Sequence, residues 1–108
     1  MWLLRDDEVL ATVEVAAARK DRRRGLLGRD GCEGALLVSG TGMVHTIGMR
    51  FAIDVAYCDR DMRVIAMTVM EPGRLARPRF RARHVIEAEA GAFGRWNLAV
   101  GDVLEVKE

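Results

Sequence analysis

Apolar and polar residues alternate along much of this chain with the two-residue period of β-strands. From Val9 to Val15, Val9, Ala11, Val13 and Val15 fall on one face and Leu10, Thr12 and Glu14 on the other, which predicts a half-buried strand. Trp2 to Leu4 is placed to pair with it through the polar turn Arg5-Asp6-Asp7-Glu8. Gly34-Ala35-Leu36-Leu37-Val38 is a short apolar run that predicts a buried strand, broken by Ser39-Gly40-Thr41-Gly42. Ile53 to Cys58 alternates, and Arg63 to Met70 is apolar on both faces, so the two predict adjacent strands of a hairpin turning through Asp59-Arg60-Asp61-Met62. A tight primed turn favours glycine or asparagine where φ is positive, so Met62 predicts a longer loop or a turn without that requirement. His84 to Glu89 reads as a further strand, Ala92 to Asn97 as one short helical turn, and Asp102 to Val106 as the closing strand.

Only one segment has the character of a full helix. Ala17 to Leu27 is rich in helix formers and free of proline, with Gly25 near its end. The expected architecture is therefore mainly β with a minor α component: a compact antiparallel β-barrel or sandwich-like domain with one main α-helix packed on it.

Composition narrows this picture without pointing to a partner. At 108 residues the chain has the usual size of one domain, residues 1–108, and half its residues are hydrophobic. Lys and Arg number 17 against 16 Asp and Glu, so overall charge selects no ligand. The charges are unevenly spread: Arg74, Arg77, Arg79, Arg81 and Arg83 share one stretch without an acid. The apolar start, Met1-Trp2-Leu3-Leu4, is too short for a secretory signal, and no run approaches the roughly 18 apolar residues of a membrane span. A soluble, cytoplasmic protein with no membrane contact is expected. Cys32 and Cys58 lack the spacing of a metal site or redox pair and are expected to be buried, reduced thiols.

The segment His45-Thr46-Ile47-Gly48-Met49-Arg50-Phe51-Ala52-Ile53-Asp54 concentrates polar groups in apolar surroundings, and here the chain resembles a known family. Together with Arg24-Gly25-Leu26-Leu27, Gly34-Ala35-Leu36-Leu37, Val85-Ile86-Glu87 before Ala90-Gly91, and Val100-Gly101-Asp102, it is similar to the Domain of Unknown Function 192 family, also called uncharacterised protein family 0127. The family-like core runs from about residue 12 to 106. The resemblance implies a mostly β, barrel-like domain carrying one helix, and it implies no activity. Ala52 and Met62 depart from the family's usual proline and glycine. Met49-Arg50-Phe51-Ala52 replaces the common Met-Lys-Asn-Thr form, so no role resting on that asparagine carries over.

Asp54 interrupts an apolar strand, and a carboxylate there either faces water or is supported by hydrogen bonds. The plainer reading is a backbone cap or an arginine partner; the sharper one is a pocket carboxylate. Arg50 and Asp54 share strand parity but lie about 13 Å apart along an extended chain, too far to bond directly. His45 and Asp54 have opposite parity, so a joint site requires a bend, with Gly48 its natural place. No Gly-x-Ser-x-Gly elbow exists, Ser39 being the only serine. No metal is expected from two histidines 39 residues apart, nor is any other cofactor indicated. Met49 and Met67 are expected inside as core filler.

These observations support three classes of function. The leading one is a non-enzymatic module binding a small polar or anionic ligand near His45, Thr46, Met49, Arg50 and Asp54. The second is a hydrolase using Asp54 or His45 as base. The third is an anion or partner contact, including nucleic acid, through Arg74, Arg77, Arg79, Arg81 and Arg83. Nucleic acid is the weaker version of the third, because only Phe80 interleaves the arginines. Oligomeric state is left open.

Overall fold

In the computed structural model, which describes residues 1–16 and 25–108, the chain forms seven strands. They are β1 (Trp2–Arg5), β2 (Glu8–Ala16), β3 (Ala35–Ser39), β4 (Ile53–Cys58), β5 (Val64–Met70), β6 (His84–Glu89) and β7 (Glu105–Lys107). A single-turn helix, α1 (Ala92–Arg95), follows β6. The mainly β class expected from the alternation is the observed one. The helix expected over Ala17 to Leu27 falls mostly on residues 17–24, outside the described residues; residues 25–28 form a turn. No described helix is long and apolar enough to cross a membrane.

The strands hydrogen-bond in the order β5-β4-β6-β3-β2-β1-β7. All pairs are antiparallel except β2 with β3, which run parallel. Parallel neighbours need a long crossover, and eighteen residues separate Ala16 from Ala35 in the chain. The two ends of this order also meet. Arg63 bridges Val103, the Val64 N–H donates to the Asp102 carbonyl at 2.8 Å, and the Leu104 N–H donates to the Met62 carbonyl at 2.9 Å. These bonds tie the approach to β5 to the approach to β7, curling the sheet into a barrel.

Both faces of the central strands are covered, which explains why β4 is buried at all six positions. Ala56 and Cys58 of β4 join Leu3, Val13, Leu37, Ile86, Phe93 and Leu104 inside the barrel. Ile53, Val55 and Tyr57 point the other way and pack with Leu26, Leu36, Val44, Met49, Met70 and Val85 under the loops. Sheet alternation therefore serves two apolar cores rather than one core and solvent.

Strand β2 departs from the simple alternation. Val9 and Val15 are 55% and 38% exposed, while Val13 and Ala16 are buried in different cores. The β1–β2 ladder pairs Leu3 with Ala11 and Leu4 with Val9, so Leu10 is an extra residue that flips the facing of the rest of the strand. The β4–β5 connection does take the longer loop that Met62 predicted. Met62 nonetheless adopts φ 63°, within a turn held by Asp59, whose Oδ1 accepts the Asp61 and Arg63 N–H groups at 2.9 and 3.0 Å.

Candidate anion-binding site

The central motif does not gather its polar side chains around one point. Asp54 is 4% exposed and shares the facing of Ala56 and Cys58, towards the barrel interior. Its Oδ2 accepts the Gly91 and Phe93 N–H groups, both at 3.0 Å, fastening the turn from which α1 starts. Arg50 is exposed and pairs instead with Asp30 at 2.7 Å. Met49 is buried in the core beneath the loops, and Met67 is partly buried against the barrel interior. His45 is exposed and borders a small cavity of about 50 Å³ whose wall includes Glu87. No described cavity is lined by both His45 and Asp54.

Thr46 shows what the motif accomplishes. It is completely buried, and its Oγ1 donates to the Glu71 carbonyl and accepts the Arg74 N–H at 2.8 Å. Its backbone N–H donates to the Arg74 carbonyl, and its carbonyl accepts the Gly73 N–H, each at 2.8 Å. His45 bridges Leu75, and the Ala76 N–H donates to the Val44 carbonyl at 3.1 Å. Farther along, the Arg79 N–H donates to the Gly42 carbonyl at 2.9 Å. A Cβ at Gly42 would stand 2.3 Å from the Arg79 carbonyl oxygen, so this approach requires glycine. The residues that carry the family resemblance are thus the frame on which the arginine loop is mounted.

Between this loop and β5 lies a groove of about 570 Å³, bordered by Tyr57, Met70, Arg74, Ala76, Arg77 and Arg79. That volume is the size of a small-molecule site. Tyr57 is fully buried, yet its hydroxyl proton has no acceptor among the described residues. Arg79 covers the ring, its guanidinium carbon 5.1 Å from the ring centroid. Burial pushes the Tyr57 hydroxyl above the ordinary tyrosine pKa, while the charge of Arg79 and a hydrogen bond from its guanidinium oppose that shift, so the group is neutral at physiological pH with its proton free to donate. Arg74, Arg77, Arg79 and Arg81 enter no ion pair among the described residues. Arg83 instead donates to the Phe80 and Ala82 carbonyls at 2.6 and 3.0 Å, closing the end of the loop on itself.

Two buried polar groups have no counterpart among the residues singled out from sequence. One is Tyr57, which shares the buried face of Ile53 and Val55; a tyrosine on such a face needs a partner for its hydroxyl, and that was the available signal. The other is Glu87, 7% exposed on the same face as Val85. Burial raises its pKa to about 7, the charge of Arg29 opposing the rise. A glutamate with apolar neighbours in a strand is the corresponding sequence signal. The cysteines differ from each other: Cys58 is buried with its thiol pushed up to about 12, whereas Cys32 is partly exposed, against the expectation of two buried thiols. Cys32 lies before the start of β3, where the chain has not yet entered the sheet.

A curled seven-stranded sheet with an arginine loop mounted on one face defines the class of protein. The chain belongs to the Domain of Unknown Function 192 family, described as an uncharacterized ACR, whose profile matches residues 2–106. It is 36% identical over 62 residues to a UPF0127 protein of Pyrococcus furiosus, an alignment covering 57% of this chain and 53% of that one. It is 38% identical over 48 residues to a UPF0127 protein of Pyrococcus horikoshii, covering 44% and 42%. The matched region spans about half the length of these curated relatives. Among solved structures, a protein of unknown function from Novosphingobium aromaticivorans is similar with a TM-score of 0.74 and 17% identity, over 87% of this chain and 74% of that one. A Sinorhizobium meliloti protein, described as a "putative transcription regulator", has a TM-score of 0.78 and 22% identity, over 88% and 81%. At these identities the likeness is one of fold.

Proposed function

We propose that this domain is a non-enzymatic binding module for a small anionic ligand, held in the groove between β5 and the arginine loop rather than around Asp54. The observation that carries the reading is the buried Tyr57 hydroxyl, whose proton has no acceptor among the described residues, on a side chain that borders a groove lined by Arg74, Arg77 and Arg79. Leaving such a donor unsatisfied costs about 1–3 kcal/mol, a cost that a ligand oxygen removes on binding. Guanidiniums without acidic partners supply charge-assisted bonds to the same oxygen-rich group. Glu71 on the rim is the one opposing charge in the groove lining.

The hydrolase reading loses its geometric support, since Asp54 is committed to two backbone donors and borders no described cavity with His45. Chemical-shift mapping with inorganic phosphate at low ionic strength tests the proposal. Shifts centred on Tyr57, Arg77 and Arg79, weakened in Tyr57→Phe and Arg79→Ala, are expected. Shifts centred on His45, Arg50 and Asp54, or none at millimolar phosphate, would overturn it.

A further inference from the structure

We infer that the ligand is an aromatic phosphate monoester of mononucleotide size, which straddles Arg79 with its phosphate on the Tyr57 side and its ring against Phe80. This inference rests on the anion-binding reading above and names the ligand class for the same site. A second groove, of about 670 Å³, opens beside the first and is bordered by Ile65, Ala66, Phe80 and Val100. Pro78 and Arg79 line both grooves. The two therefore adjoin at these residues.

The chemistry differs on the two sides. The Tyr57 side offers Arg74, Arg77 and a buried hydroxyl donor, which suit a phosphate carrying between one and two negative charges. The other side adds apolar surface to its arginines, Arg63 and Arg81: Phe80, 86% exposed, borders it with Ile65, Ala66 and Val100. A lone exposed phenylalanine is ordinary on a surface. Here it borders a ligand-sized groove beside arginines that enter no ion pair among the described residues, where a flat ring would bury it. A planar guanidinium is suited to both halves, since it bonds phosphate oxygens along its edge and stacks through its face. Asp59, at the far end of this groove, already accepts two backbone N–H groups. With one aromatic platform the site takes one ring; single-strand binders stack successive bases on several.

The test compares adenosine monophosphate, ribose 5-phosphate, inorganic phosphate and a short single-stranded oligonucleotide by calorimetric titration at low ionic strength. Adenosine monophosphate is expected to bind about tenfold more tightly than ribose 5-phosphate, the contribution of one stacked ring. Phe80→Ala, at an exposed position that leaves the fold intact, should erase that difference and leave inorganic phosphate unchanged. Equal affinity for the two monoesters, or a difference that survives in Phe80→Ala, would overturn the ligand class while leaving the anion site standing. Absence of binding by every phosphate would overturn both. Oligonucleotide affinity a hundredfold above that of the mononucleotide would assign the loop to single strands and overturn the small-ligand inference.

Discussion

Arg79 lies over the Tyr57 ring at 5.1 Å, yet the proton of the wholly buried Tyr57 hydroxyl is left without an acceptor among the described residues. The cation thus shields the ring and leaves the donor free. Such an arrangement is costly in the unliganded protein, and its consequence is measurable. Tyr57→Phe removes the orphan hydroxyl and keeps the ring, so the unliganded variant should be as stable as the parent or about 1 kcal/mol more stable in chemical denaturation. Its phosphate affinity should fall severalfold. A variant destabilised by about 2 kcal/mol or more would show that the hydroxyl has a structural partner instead.

Glu87 gives the fold a pH dependence of definite sign. Its folded pKa of about 7 stands above the ordinary glutamate value of 4.5, so the folded state holds this proton more tightly than the unfolded chain does. The group's favourable contribution is complete below pH 4.5 and is lost as pH rises towards 7, by at most about 3 kcal/mol. Glu87→Gln removes the ionisation, so thermal stability should lose this slope between pH 4.5 and 7, and the variant should be the more stable protein above that range. Equal slopes in the two proteins would refute the assignment.

Thr46 joins the central motif to the arginine loop through both backbone and side chain. Thr46→Val keeps the shape and deletes the hydroxyl, stranding the Arg74 N–H and the Glu71 carbonyl. A loss of about 2–3 kcal/mol is expected. Hydrogen exchange should show the 71–76 segment opening more than the barrel strands do. Uniform loss of protection across β3, β4 and β6 would mean that Thr46 supports the whole core and not the loop specifically.

Much of the fold is legible in the sequence because strand alternation is a local property. Ile53–Cys58 and His84–Glu89 run where their patterns predict. β2 is read less well: one extra residue at Leu10 reverses its facing, and no residue in the strand announces a bulge. The parallel placement of β2 and β3 depends on a crossover whose direction is set by tertiary packing. For the site, the polar motif is visible in sequence but its role is not. Thr46 and Asp54 bond to backbone groups 28 and 37 residues away, and such partners have no signature in spacing. Tyr57 is easily overlooked because, in a strand, a tyrosine reads as another apolar residue until its hydroxyl is followed.

Asp54 provides the sharpest separation between scaffold and site. Its carboxylate holds two N–H groups, of which the Phe93 donor is buried, and Gly91 is kept at φ 100° beside it. Asp54→Ala removes the oxygen that accepts both bonds, and a loss of about 3 kcal/mol is expected from two charge-assisted bonds to backbone. Asp54→Asn keeps an acceptor oxygen for both bonds and loses their charge assistance, so it should cost roughly half as much. Because Asp54 faces the barrel interior whereas Tyr57 faces the loops, phosphate affinity measured under conditions where Asp54→Asn is folded should match the parent. If affinity instead fell tenfold in that folded variant, the ligand would belong to the central motif and the arginine groove would be only its neighbour.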